Sequence, residues 1–352
     1  MTTDRAFGRG GAPHIGISWR IDDLRPAELQ RLRAMVQVAE EMSVSRIAVG
    51  DSQWAHFDAA VIATLMAEHA TSAWVGISPT NPVTREPSVM ASILAGLDSL
   101  TGGRACLVMT SGDTAVYNAG LRPGRLAVIE DYVRCIRDLI RTGRATYQGR
   151  RQVVRWWNRA YRPDPTIYIH AEGPKMLHLA GRIGDGVVIG SGLLPEVIED
   201  SLRRVEAGAR ESGRTLNDLD IWWSARPSVA RTTAQAIEEI KGSISSAGNH
   251  SMRSGFEGKN VPPDIAPRLR RFVEGYDTTQ HQAAEGDNVR RMEEAGLTEY
   301  FFARWGVVGD PLTFVARLRE LQSLGVEKLW FAWGAAKLHH FELLRDEVLP
   351  AL

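Results

Sequence analysis

Two cysteines in 352 residues, Cys106 and Cys135, are too few for a disulfide framework, and neither stands at a zinc-ligand spacing. Both read as buried thiols. No apolar run reaches the roughly 18 residues that a membrane span needs, and residues 1–14 are polar and glycine-rich without an apolar core. Neither sign of charge is in excess: 42 Lys and Arg face 42 Asp and Glu. Nothing electrostatic therefore draws the chain to nucleic acid or to an anionic membrane. Several chemistries lack their motifs as well. There is no Walker loop, no G-x-S-x-G elbow, and no G-x-G-x-x-G after the first apolar run. Nucleotide hydrolysis, serine-triad acyl transfer and a Rossmann dinucleotide site lose their support. His14, His56, His69, His170, His178 and the adjacent His339 and His340 form no H-x-x-x-H or H-E-x-x-H pair, so no metal centre is expected. These absences leave a soluble, cytoplasmic chain that works on small molecules.

What is present is a rhythm. Short apolar runs at 15–19, 46–49, 74–78, 105–109, 166–169, 187–189, 221–225 and 328–331 alternate with stretches of helical spacing. Eight such units predict an α/β fold with a parallel sheet closed into a (β/α)₈ TIM barrel, one domain over 1–352. An open doubly wound sheet is the rival. The stretch 241–300 breaks the rhythm with Gly, Ser, Asn and Pro-Pro, and reads as a partly helical insertion after strand seven. Residues 147–164, with the pair Trp156-Trp157, suggest a hairpin or an inserted loop. Ten tryptophans are many for this length, and on a strand only one of Trp222 and Trp223 can face the interior.

In a barrel, chemistry sits where strands run out into the following loops, so candidates gather at those ends. They are Trp19, Asp51, Ser78, the residues 110–113, the residues 170–175, Ser191 and Arg226. The richest stretch is 166–193, a strand, helix, strand unit with Glu172-Gly173-Pro174 at the head of the helix. Free amides and the partial positive charge there suit an anion, most often a phosphate. Gly173 admits a close approach, while Lys175 and Ser191 supply a charge and a hydroxyl. The same glycine turn also reads as plain punctuation. Asp113, after Gly112, is an acid/base candidate if burial raises its pKa, or a cap on the next segment. Asp51 has the same two readings.

Several of these pieces together resemble one family. The series Asn81-Pro82-Val83-Thr84-Arg85-Glu86-Pro87, then Leu97-Asp98-Ser99-Leu100-Thr101-Gly102-Gly103-Arg104, Ser111-Gly112-Asp113, Gly173-Pro174-Lys175-Met176-Leu177-His178 and Gly184-Asp185-Gly186 is similar to the luciferase-like flavin and deazaflavin oxidoreductases. Within them it resembles above all the methylenetetrahydromethanopterin reductase branch, which uses an 8-hydroxy-5-deazaflavin, coenzyme F420. The resemblance implies a cofactor across the C-terminal mouth of the barrel. Gly173, Pro174 and Lys175 would form its phosphate turn, flanked by His170, Ala171, Glu172, Gly190, Ser191 and Gly192. Asp51, Thr110, Ser111 and Gly112 would touch the ring or side chain. A bulge with a non-prolyl cis peptide around Gly76-Ile77-Ser78 would stand behind the ring. It implies a homodimer too. Members acting on sugar phosphate show Asp-His after strand two and a lysine after the Ser-Gly of strand six. Here Ser52 and Leu193 take those places, which argues against a phosphorylated sugar.

The expected chemistry is hydride transfer between the deazaflavin and an organic C=N, C=C or C=O carbon. Asp113, with Asp51 beside it, would move the proton, and Trp19, Trp54, Trp222 or Trp223, and Arg226 would wall the substrate. The alternatives are an FMN-dependent monooxygenase on the same barrel and a non-catalytic barrel that binds a cofactor or metabolite.

Overall fold

The computed structural model describes residues 13–352 apart from Asp22, Ala284 and Ala335. Its eleven strands are β1 (His14–Trp19), β2 (Arg46–Val49), β3 (Trp74–Thr80), β4 (Ala105–Met109), β5 (Arg144–Tyr147), β6 (Arg150–Val153), β7 (Thr166–Ala171), β8 (Gly186–Ile189), β9 (Asp220–Val229), β10 (Gly306–Gly309) and β11 (Lys328–Trp333). Eight of them close a parallel ring in the order β1-β2-β3-β4-β7-β8-β9-β11. β11 returns to β1 with Phe331 opposite Ile17, so the ring has no open edge. The fold is a (β/α)₈ barrel, and its eight strands are the eight apolar runs of the sequence. β9 is ten residues long. Its outer half pairs with β10, from Arg226 opposite Gly306 to Val229 opposite Gly309. β10 went unread because two valines between glycines carry too little pattern to announce a strand.

Alternate side chains point into the ring. On β1 to β4 these are small: Gly16, Ala48, Gly76 and Cys106. Across from them stand Tyr168, Trp222 and Trp330. A Cβ on Gly16 would lie 3.2 Å from the Trp222 ring, and one on Gly76 would lie 2.7 Å from Cys106 Sγ. Large rings thus fill the lumen only because the facing strands are nearly bare. Trp222 and Trp330 meet edge to face at 5.6 Å. Below them Arg46 donates to Asp220 at 2.8 Å and to Tyr168 Oη at 3.1 Å, and Lys328 reaches Asp220 at 2.7 Å. Trp223 points the other way, into the main core between sheet and helices.

β5 and β6 form a hairpin that overlaps only the start of the stretch 147–164, and the pair Trp156-Trp157 lies beyond it at the 3-10 turn Trp157–Arg159. In β3 the cis peptide joins Ser78 to Pro79, and the register shifts between Ile77 and Thr80. The bulge and the cis bond fall at the end of the stretch Gly76-Ile77-Ser78 that the resemblance implied, but the bond is prolyl and not non-prolyl. The helix Pro174–Ile183 starts with Pro174 in its first turn and crosses the helix Pro195–Glu211 at two glycines. A Cβ on Gly181 would meet Val205 O at 2.0 Å, and one on Gly208 would meet His178 O at 1.8 Å.

Between β9 and β10 run the helices Thr233–Met252, Ala266–Glu274, Asp287–Glu294 and Thr298–Trp305. The first continues through residue 241, where the sequence reading had set the start of the insertion. These helices bury a second core around Leu269, Phe272, Met292, Phe301 and Trp305. Among the described residues no helix is long and apolar enough to cross a membrane. Cys106 and Cys135 are free and buried.

Candidate active site

Two residues beyond the plug, the inward positions of several strands turn small or polar, Ser18, Gly50, Ser78, His170 and Ser224, while Val188 and Ala332 stay apolar, with Thr110 and Arg226 above them. They surround a cavity of about 190 Å³ at the C-terminal mouth, with Trp330 in its floor. An adjoining cavity of about 150 Å³ shares Ser18, Arg226 and Ala332 and adds Trp19, Trp54, His56 and Trp333. The roof is not barrel. Ser246 and His250 come from the helix Thr233–Met252, and His281 and Gln282 from the loop before the helix Asp287–Glu294.

His250 is the hub. Its Nδ1 stands 2.7 Å from Glu172 Oε2, and its Nε2 stands 3.4 Å from Asp113 Oδ2. Arg253, one helical turn on, forms an ion pair with the other oxygen of Asp113 and lies over the Tyr117 ring. Burial disfavours the charged imidazole, but Glu172 and Asp113 outweigh it and raise the pKa of His250. Burial likewise works against the Glu172 carboxylate. The charge and hydrogen bond of His250, with help from His170 and Arg226, win and hold it at about 2. Asp113 is lowered by His250 and Arg253 against its own burial. For His170 and His281 burial outweighs the charges of Glu172 and Asp113, so both are pushed down to about 4 and are neutral at pH 7. The arrangement is one imidazole whose charged form two ionised carboxylates favour, beside two neutral ones.

Asp51 is held elsewhere. Thr80 Oγ1 donates to it at 2.6 Å, and Arg85 pairs with the same oxygen while reaching Asp58 at 2.6 Å. Both contacts fall on Oδ2, so Asp51 ties the loop after β3 to the rim of the cavity that it lines.

The turn after β7 fits an anion. Gly173 caps the helix Pro174–Ile183 with no side-chain acceptor for the first amides. The Ser191 hydroxyl is buried and has no hydrogen-bond partner. Lys259 Cε would stand 3.6 Å from a Cβ on Gly173. Arg304 links the last two: its Nε donates to Ser191 O at 3.0 Å and its Nη2 to Lys259 O at 2.6 Å. A helix end and an ammonium that donates one bond to Ser251 O at 2.6 Å stand together there, with a buried hydroxyl on the linked segment, a donor set suited to a phosphate. Pro174 and Lys175 instead border a separate outer cavity of about 350 Å³ with His178, Arg182 and Arg204.

The family model for luciferase-like monooxygenases matches residues 11–328. The chain belongs to the luciferase-like monooxygenase family. Two relatives cover almost all of it. The 5,10-methylenetetrahydromethanopterin reductase of Methanopyrus kandleri is 27% identical over 357 residues, spanning 95% of this chain and 98% of its own. The F420-dependent glucose-6-phosphate dehydrogenase of Mycobacterium avium is 27% identical over 359 residues, spanning 96% and 97%. The solved structure of the coenzyme F420 dependent tetrahydromethanopterin reductase from Methanopyrus kandleri superposes with a TM-score of 0.74 at 22% identity, covering 97% of this chain and 99% of that one.

On this luciferase-like barrel the candidate residues part company. Asp51, Thr110, Gly112, Asp113, His170, Glu172 and Arg226 line the inner cavity, and Trp19 and Trp54 the outer one. Gly190 lies behind His170 and Glu172, where a Cβ would come within 2.9 Å of both side chains. Gly192 has φ 129° and packs against Arg304. Ser111 O accepts from Gly124 N in the loop after β4. Ile77, Ala171 and Trp223 face the outer core, and Gly76 and Trp222 belong to the plug, so none of these five forms the cavity wall. Asp113 does not carry a raised pKa, because two cations beside it reverse the effect of burial. Nor does it cap the helix Thr114–Tyr117 with its side chain. His250, Arg253, His281 and Gln282 were missed. Only their isolation within a helical or irregular stretch marks them, and no spacing links them to β4 or β7.

Proposed function

We propose that this protein is an F420-dependent oxidoreductase that exchanges a hydride with a small organic molecule bearing a C=N, C=C or C=O group. The observation that carries the reading is the meeting, on one barrel rim, of an anion-binding turn and His250, whose charged form is favoured. The names of the relatives that span the chain support the cofactor. Gly173, Ser191 and Lys259 would hold its phosphate, and Ser78, Thr110 and Gly112 would border its ring. When bound, the deazaflavin supplies or accepts the hydride at C5.

The chain's own residues manage position and the proton. In the reducing direction His250 gives up the proton on Nε2, the nitrogen held loosely at 3.4 Å from Asp113. The Nδ1 proton stays on the ring, donated in a hydrogen bond to Glu172, whose ionised carboxylate fixes the ring and its tautomer. Arg253 keeps Asp113 ionised, and Asp113 keeps Nε2 aimed into the cavity. The roof helix excludes water from the inner chamber, where donor and acceptor must approach to about 3–3.5 Å. Leu193 is fully buried and Ser52 Oγ engages Thr114 Oγ1 at 2.9 Å, so neither offers a cation to a sugar phosphate.

Titration of purified protein with F420 and, separately, with FMN tests the reading. Saturable binding of F420, seen as quenching of its fluorescence, is the expected result. Binding of FMN with no binding of F420 would sink it and favour the monooxygenase alternative.

A further inference from the structure

The charged groups around the inner cavity balance, with one exception. Glu172 has His250, Asp113 has Arg253, and Asp51 has Arg85. Arg226 has no such partner among the described residues. Its single hydrogen bond is long, from Nη1 to Ala332 O at 3.4 Å. Ser18, Ser224 and Ala332 around it are neutral, and so are the roof residues His281 and Gln282. The rim therefore carries one guanidinium with no ion pair of its own, which feels the charge of Glu172 only at longer range, placed where the inner and outer cavities join. Removing a guanidinium from water without an anion costs several kcal/mol in general, and burial indeed weakens the hold of Arg226 on its proton.

We propose that Arg226 anchors the carboxylate of a monoanionic substrate, so that the molecule reduced or oxidised at this site is a small carboxylic acid. The proposal rests on the oxidoreductase reading only in calling the occupant a substrate. A single excess positive charge matches a single negative one. A phosphate dianion would leave a second negative charge facing Glu172 and Asp113. The planar fork of a guanidinium takes a carboxylate through two parallel hydrogen bonds. From the junction of the cavities, an acid held by Arg226 directs its remaining atoms into the inner chamber toward His250.

Benzoate is a suitable probe, since a cavity of about 150 Å³ accommodates a benzene ring. Its binding is measured by calorimetry against benzamide and inorganic phosphate on the wild type, R226K and R226Q, each with and without F420. The expected result is benzoate binding at least about tenfold tighter than benzamide or phosphate, or about 1.4 kcal/mol. R226Q abolishes that preference, R226K restores part of it, and F420 affinity stays within about twofold throughout. Equal binding of benzoate and benzamide overturns the proposal. So does a tenfold loss of F420 affinity in R226Q, which would make Arg226 a cofactor contact. If F420 fails to bind the wild type while the Arg226-dependent preference for benzoate persists, the cofactor reading falls and the carboxylate site stands.

Discussion

His250 owes its proton to two neighbours, and each can be removed separately. Substituting His250→Gln should lower turnover by about 10²–10⁴-fold while leaving F420 affinity unchanged. Because Glu172 and Asp113 raise its pKa, the wild-type rate of reduction should hold to above pH 6.5 and fall as pH rises through the raised value. Glu172→Gln removes the carboxylate with the larger effect on His250, so the same limb of the pH–rate profile should move to lower pH. A profile that does not move would contradict the relay. Stability has its own signature. His170 and His281 sit at about 4 when folded, so between pH 6.5 and 4 the unfolded chain binds more protons and stability falls with pH. His250 acts in the opposite sense, its contribution being complete below 6.5 and lost above its raised value. The contribution of Glu172 persists down to about 4.5 and is lost toward 2. Two groups against one predict a net loss of about 1–2 kcal/mol between pH 7 and pH 5, reduced in the double variant H170Q/H281Q, as thermal melts would show. Sequence reasoning reached Asp113 and Glu172 because each ends a barrel strand. It could not reach their partners: His250 lies 78 residues from Glu172, and Arg253 lies 140 from Asp113.

Among the elements, the strands were legible because burial on both faces of a parallel barrel strand leaves an unbroken apolar run. The helix Thr233–Met252 was not. Its Gly242, Ser243, Ser245, Ser246 and Gly248 have the composition of a loop, yet the structure uses their smallness for contact. A Cβ on Gly248 would lie 2.2 Å from the Phe301 ring, and one on Gly242 would lie 2.3 Å from Ala283 O. The helix that opens at the anion-binding turn is set by the same means. Gly208→Ala places a methyl against His178 O and should cost about 3 kcal/mol, and it should weaken F420 binding by tilting the Pro174–Ile183 amides away from the phosphate. Chemical denaturation and the F420 titration read the two effects on one variant. Loss of stability with intact cofactor affinity would detach that helix from the proposed phosphate site.

For the whole molecule, the plug decides where chemistry can happen. Aromatic rings from β7, β9 and β11 close the lumen below Ser18 and Ser224, so no ligand passes through and only the rim is available. Cys106 belongs to that plug. Its thiol is pushed up to about 12 by burial, and Cys135, in the helix Leu126–Thr142 behind the sheet, is pushed to about 12 as well. Neither should react with a thiol reagent in the native state, and both should label at the rate of global opening. Faster labelling of Cys106 alone would mean that the lumen opens on its own. The barrel itself was readable from the repetition of eight units. Which residues of those units form the mouth was not, because that depends on the parity of each strand and on a roof folded from distant sequence.

That division between floor and roof has a consequence for inheritance. The stretch from Thr233 to Trp305 delivers the imidazole together with Lys259 and Arg304, while Arg226, Glu172 and the turn at Gly173 stay with the barrel. A lineage that exchanges this stretch therefore changes its acid and part of its phosphate grip at once, on a platform that keeps the guanidinium.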